Sequence, residues 1–147
     1  MTVNPFVFIV LTSIIATTLM TSFSEALTRL RNYEFNEAEL LNQYVFGNNG
    51  NFKGIESFWG WLVHYLMGIV VTTWMYVIYA HCNFPPNIDL GLLLGFLVWI
   101  VGAISWTGLF YYHSYAPHTG VTVFLLQLLV AHLIFGSTVA ILFQFVF

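Results

Sequence analysis

Residues 90–112 read LGLLLGFLVWIVGAISWTGLFYY, a run of twenty-three positions without one charged side chain. A helix needs about 20 mainly apolar residues to cross the hydrocarbon core of a bilayer, so this stretch is long enough to span it once. Runs of the same character lie at roughly 6–23, 57–81 and 121–147. All four are continuous rather than alternating, which favours helices over barrel strands, because lipid leaves no backbone group free to remain unpaired. The expected fold is all-α: a polytopic membrane protein, an antiparallel bundle of four transmembrane helices in a single domain over residues 1–147.

The whole composition agrees. The chain has 147 residues, 59% hydrophobic and 6% charged, with a mean hydropathy of +0.84. That leaves too little polar surface to cover a water-soluble globule. The first run follows MTVNP with no lysine or arginine before it, so it is expected to stay as a span rather than be cleaved as a signal peptide. The single cysteine, Cys82, excludes an internal disulfide and any zinc site that needs two thiolates. A net charge of -3 without a basic patch sets nucleic acid aside. The partners expected are the lipid bilayer and either a second copy of the chain or the subunits of a larger membrane complex.

The three basic side chains, Arg29, Arg31 and Lys53, all fall between the first and second runs. The positive-inside bias therefore makes the 24–56 loop cytoplasmic. Leu27, Leu30, Leu40, Leu41 and Val45 keep a partly helical spacing there, which predicts a continuation of the first helix and then a segment lying on the membrane surface. Pro85, Pro86 and Pro117 mark short connections that predict antiparallel neighbours. Aromatic side chains near the span ends, Tyr76 and Tyr79 among them, are expected at the membrane interfaces.

Four groups of residues could carry chemistry. Ser13, Thr17 and Thr21 recur every four residues and lead to Glu25, a polar stripe that should face protein. It serves either as interhelical glue or as a hydrophilic track with Glu25 at its mouth. Gly91 and Gly95, followed by Gly102, permit close helix packing, within the chain or between two copies. His64 stands in WGWLVHYLMG and His132 in QLLVAHLIFG, each with a glycine four residues on, Gly68 and Gly136. Counted along the helices, both imidazoles sit about 12 to 17 Å from the cytoplasmic ends, so they can meet at one depth, each glycine making room beside its histidine. An ionisable group inside a membrane is a functional-site hypothesis by default. The pair could bind haem or a metal, carry a proton, or simply bond neighbouring helices together. A catalytic divalent metal needs a third ligand, for which Glu25, Glu56, His113 and His118 are the candidates.

Taken together, ATTLMTSFSEAL, WGWLVHYLMGI and AHLIFGS resemble a family of small four-span bacterial inner-membrane proteins of unknown function, with its GW..HY...G and AH..FG segments. The resemblance covers most of the chain, although the family tends to have a more polar region between its third and fourth spans than the brief one here. It implies a bacterial plasma membrane and a shared role for His64 and His132, and it brings no activity with it. No phosphate-cradling loop, nucleophile elbow or HExxH is present, so nothing compels an enzyme. The functions left open are an intramembrane histidine site, for haem or metal binding or for proton-coupled transport, and a non-catalytic structural subunit.

Overall fold

The computed structural model describes residues 4–31, 33–46, 55–82, 84–113 and 120–145. They form five helices in chain order: α1 (Pro5–Arg31), α2 (Glu37–Phe46), α3 (Ile55–Cys82), α4 (Ile88–His113) and α5 (Val121–Phe143). Four of these, all but α2, are long and apolar enough to cross a membrane. The architecture is the expected all-α, four-span bundle of a multi-pass membrane protein.

Local chemistry sets the helix starts. Asn4 Oδ1 accepts the Phe6 N–H at 2.9 Å, with Pro5 at the first helical position. Asn36 Oδ1 accepts from Ala38 and Glu39, and Asn87 Oδ1 accepts from Leu90 at 2.8 Å. Each asparagine satisfies backbone donors that have no carbonyl one turn back. At the start of α5 the capping position is Gly120 at φ 82°, a conformation that suits glycine.

The spans follow the order α3, α1, α5, α4 around the bundle, each packed antiparallel on the next. The register is read from Thr21 against His64 for α1 and α3, Ser24 against Gln127 for α1 and α5, and Trp99 against Leu125 for α4 and α5. One expectation fails here. Although Pro85 and Pro86 keep the α3–α4 connection short, α3 and α4 scarcely touch. A short link brings two helix ends together, but the helix bodies go where their small residues let backbones meet, and those of α4 face α5.

The α4–α5 seam shows this directly. A Cβ added at Gly91 would overlap the Gly136 carbonyl, one at Gly95 would overlap the His132 carbonyl, and one at Gly136 would overlap the Gly91 carbonyl. The small-residue pair of α4 therefore serves packing inside the chain. Gly136 does not make room beside His132, as the sequence led us to expect. It is the crossing point itself.

Helix α2 folds back over one end of the bundle, with Glu37, Ala38, Leu40 and Asn42 buried. Gly60 of α3 lets it approach, since a Cβ there would meet the Ala38 carbonyl, and the Gly60 N–H donates to Asn42 Oδ1 at 2.6 Å. Tyr44 reaches across to Trp106 and Phe110. Two apolar clusters result. One, at the α2 end, joins Phe35, Leu40, Trp106, Phe110, Phe124 and Leu128. The other includes Met75, Phe135 and Phe143; Tyr79 belongs to it as well, buried against Phe143 rather than standing at an interface.

Candidate functional site

Between the two clusters lies a cavity of about 250 Å³. Its walls come from all five helices: Thr17 and Met20 of α1, Glu37 and Leu41 of α2, His64 and Gly68 of α3, Gly102 and Trp106 of α4, and Leu128 and His132 of α5. Val63, Met67 and Val101 also line it and are largely exposed. They mark an opening between α3 and α4, the two helices that fail to pack. The lining is mostly apolar, with a few polar groups converging on it, the usual make-up of a small-molecule site.

His64 and His132 thus share one cavity and stand within electrostatic range of each other. Their hydrogen bonds define their tautomers. His132 Nδ1 lies 2.8 Å from the Leu128 carbonyl, which can only accept, so Nδ1 carries the proton and Nε2 keeps its lone pair. Thr21 has one hydroxyl proton, and it goes to the Thr17 carbonyl at 2.7 Å. His64 Nε2, 2.9 Å from the same hydroxyl, is then the donor to it, and Nδ1 keeps the lone pair. Beside His132 the space is made by Gly102, where a Cβ would stand 3.4 Å from Nε2. Gly68 instead lets α3 close onto α1, since a Cβ there would overlap Thr17 Oγ1.

The stripe on α1 faces protein throughout. Ser13, Thr17 and Thr21 are buried. Thr21 bonds back to α1 and across to α3, while the hydroxyls of Ser13 and Thr17 are buried without a hydrogen-bond partner among the described residues. The stripe does not end in Glu25. That carboxylate turns outward to Arg29 at 2.7 Å and accepts from Asn36 Nδ2 at 3.1 Å, away from the cavity. Stepping three residues from Thr21 instead of four leads to Ser24, which is wholly buried.

Ser24 introduces the group that the sequence did not single out, Glu37. Gln127 Nε2 donates to Ser24 Oγ at 2.6 Å, and Ser24 Oγ donates to Glu37 Oε1 at 3.2 Å. Glu37 Oε2 is buried without a hydrogen-bond partner among the described residues. Burial in an apolar surround disfavours the charged form and pushes this carboxyl up to about 7, partly offset by hydrogen bonding, including that from Ser24. Two signals were there to find it. Gln127 is a lone amide in an otherwise apolar run, and Glu37 follows the capping Asn36 at the start of a helix that buries one face.

Among the other candidates, Glu56 and His113 belong to α3 and α4, but their side chains, like the whole of His118, lie outside the described residues. Among the described residues, no three His, Cys, Asp or Glu side chains gather as a metal site. No family model, curated protein or solved structure matches the chain.

Proposed function

We propose that this chain is a multi-pass protein of the bacterial plasma membrane, with its 24–56 loop cytoplasmic, that binds a small molecule reaching it from the bilayer. The observation that carries this reading is the shared cavity of His64 and His132, open between α3 and α4. A histidine pair serving only as packing would leave no space beside it, as at Gly91 and Gly136; here α3 and α4 stay apart beside the imidazoles. Exposed Leu11, Val70, Val101 and Leu126 make the outer surface apolar, so lipid is the solvent beside the opening.

Size and nitrogen chemistry favour a small ligand over haem. A cavity of roughly 150 Å³ holds one benzene, so 250 Å³ suits one or two rings rather than a macrocycle. His64 Nε2 is also committed to Thr21. Glu37 favours a second reading, proton-coupled transport, since a carboxyl titrating near neutrality stands among the lining groups.

The test is absorbance, metal analysis and organic extraction with mass spectrometry on protein purified in lipid nanodiscs. A lipid-soluble molecule should co-purify in the wild type and be lost when Gly102→Leu fills the cavity. A Soret band abolished by both His64→Ala and His132→Ala would establish haem instead. A wild type that carries and takes up nothing would leave the structural-subunit role.

A further inference from the structure

The polar groups of the cavity present an uneven set of donors and acceptors. His132 spends its only N–H on the Leu128 carbonyl, and His64 spends its only N–H on Thr21. Each ring is left with one unprotonated nitrogen, His132 Nε2 and His64 Nδ1, to which no described residue donates. Neutral imidazole nitrogen in that state can only accept. The hydroxyls nearby cannot reverse this balance. Thr17 Oγ1 is sealed beneath Gly68, and Ser105 at the rim already donates to the Val101 carbonyl at 2.9 Å.

A guest whose polar atoms only accept, such as a ketone or an ether, can take a hydrogen bond from the Trp106 indole N–H or from Glu37 when protonated, but it has nothing to give either imidazole nitrogen and leaves both lone pairs unpaired in a largely apolar site, which is costly. A guest with a hydroxyl or N–H satisfies both sides. Most of the remaining walls, Met20, Val71, Val98 and Phe135 among them, are apolar and suit a hydrocarbon ring, with the Glu37 carboxyl and the Trp106 indole N–H as the other polar groups. By volume one or two rings fit. Access between α3 and α4, past Val63, Met67 and Val101, selects for solubility in lipid.

We infer that the molecule taken by this cavity is a lipid-soluble compound with a hydroxyl on a one- or two-ring system, its O–H donated to His132 Nε2 or His64 Nδ1. The inference rests on the binding reading above and adds the chemical class of the ligand. Both imidazoles accept, and the site therefore discriminates by proton donation rather than by size alone.

The test compares three probes of nearly one shape on the full-length protein in nanodiscs: β-naphthol, β-methylnaphthalene and β-methoxynaphthalene. Affinities are corrected for partition into protein-free discs. β-Naphthol should bind at least about tenfold more tightly than both others, the ratio expected of one to two hydrogen bonds. Nitrogen-15 spectra should show His132 as the Nδ1–H tautomer, with its Nε2 signal moved by β-naphthol and unmoved by β-methylnaphthalene. The preference should vanish in the His64→Leu, His132→Leu double variant, and the wild-type measurements stand even where that variant does not fold. Equal binding of all three probes, or an Nε2–H tautomer at His132, overturns the ligand class while leaving the binding reading intact. Binding of none of the probes, with no co-purifying molecule, overturns both.

Discussion

The His132 ring is held by the Leu128 carbonyl one turn before it, at 2.8 Å, which leaves its free nitrogen facing α4 at Gly102. Gly102 is therefore the position at which the cavity can be filled without breaking a helix contact. An added Cβ meets His132 at 3.4 Å, ordinary van der Waals contact. Gly102→Ala should keep or raise stability, by up to about 1 kcal/mol from helix propensity, while it weakens β-naphthol binding. Thermal unfolding and titration of one preparation separate the effects. A clear loss of stability would show that Gly102 serves packing.

The opposite outcome is expected at the helix crossings. Gly136→Ala must push its methyl into the Gly91 backbone, and Gly68→Ala into Thr17. Each should cost on the order of 1–3 kcal/mol, as overpacking does in a filled core. Thr17→Leu belongs with them, because Thr17 is buried against Gly68, whereas Leu11 is 53% exposed and Leu11→Ala should be nearly silent. Reversible unfolding in detergent measures all four. Equal tolerance at Thr17 and Leu11 would remove the α1 stripe from the α1–α3 contact.

Glu37 makes stability depend on pH in a defined direction. Its folded-state value near 7 lies above its ordinary 4.5, so the folded protein binds this proton more tightly than the unfolded chain does. The stabilising contribution of the protonated form is complete below about 4.5 and is lost as pH rises through about 7. Glu37→Gln should abolish that slope and make the protein more stable than the wild type above neutral pH, by a few kcal/mol at most. Unfolding midpoints between pH 4 and 8, compared between the two, decide it; parallel curves would mean that Glu37 stays charged.

The orientation can be tested with the native cysteine. Cys82 is exposed at the far end of α3 from α2. With the 24–56 loop inside, an impermeant maleimide should label Cys82 in spheroplasts and should fail to label a Cys82→Ser, Asn49→Cys variant until the membrane is opened. The reverse pattern would invert the chain and put Glu37 on the outer side.

Composition alone was enough for the four spans. Uncharged runs of helix-spanning length have no other stable form in lipid, and the observed helices start within a few residues of the expected positions, as at 88 rather than 90 for α4. The inward face of the α1 stripe was equally legible, because hydroxyls repeating every four residues can only lie along one side of a helix. That His64 and His132 could meet followed from counting residues along parallel helices, and both line one cavity.

Partners across helices were not legible, because a membrane span is apolar all round and its pattern hardly marks which face meets which neighbour. Gly68 and Gly136 occupy the same place after a histidine, yet one closes α3 onto α1 and the other closes α5 onto α4. Glu25 and Glu37 looked alike as carboxylates of one loop. The chain reversal between Arg31 and Glu37 sends the first out to Arg29 and the second into the bundle beside Ser24. The gap between α3 and α4 was hidden for the same reason. Backbones approach where small side chains from distant parts of the chain coincide, and that coincidence exists only once the helices have packed.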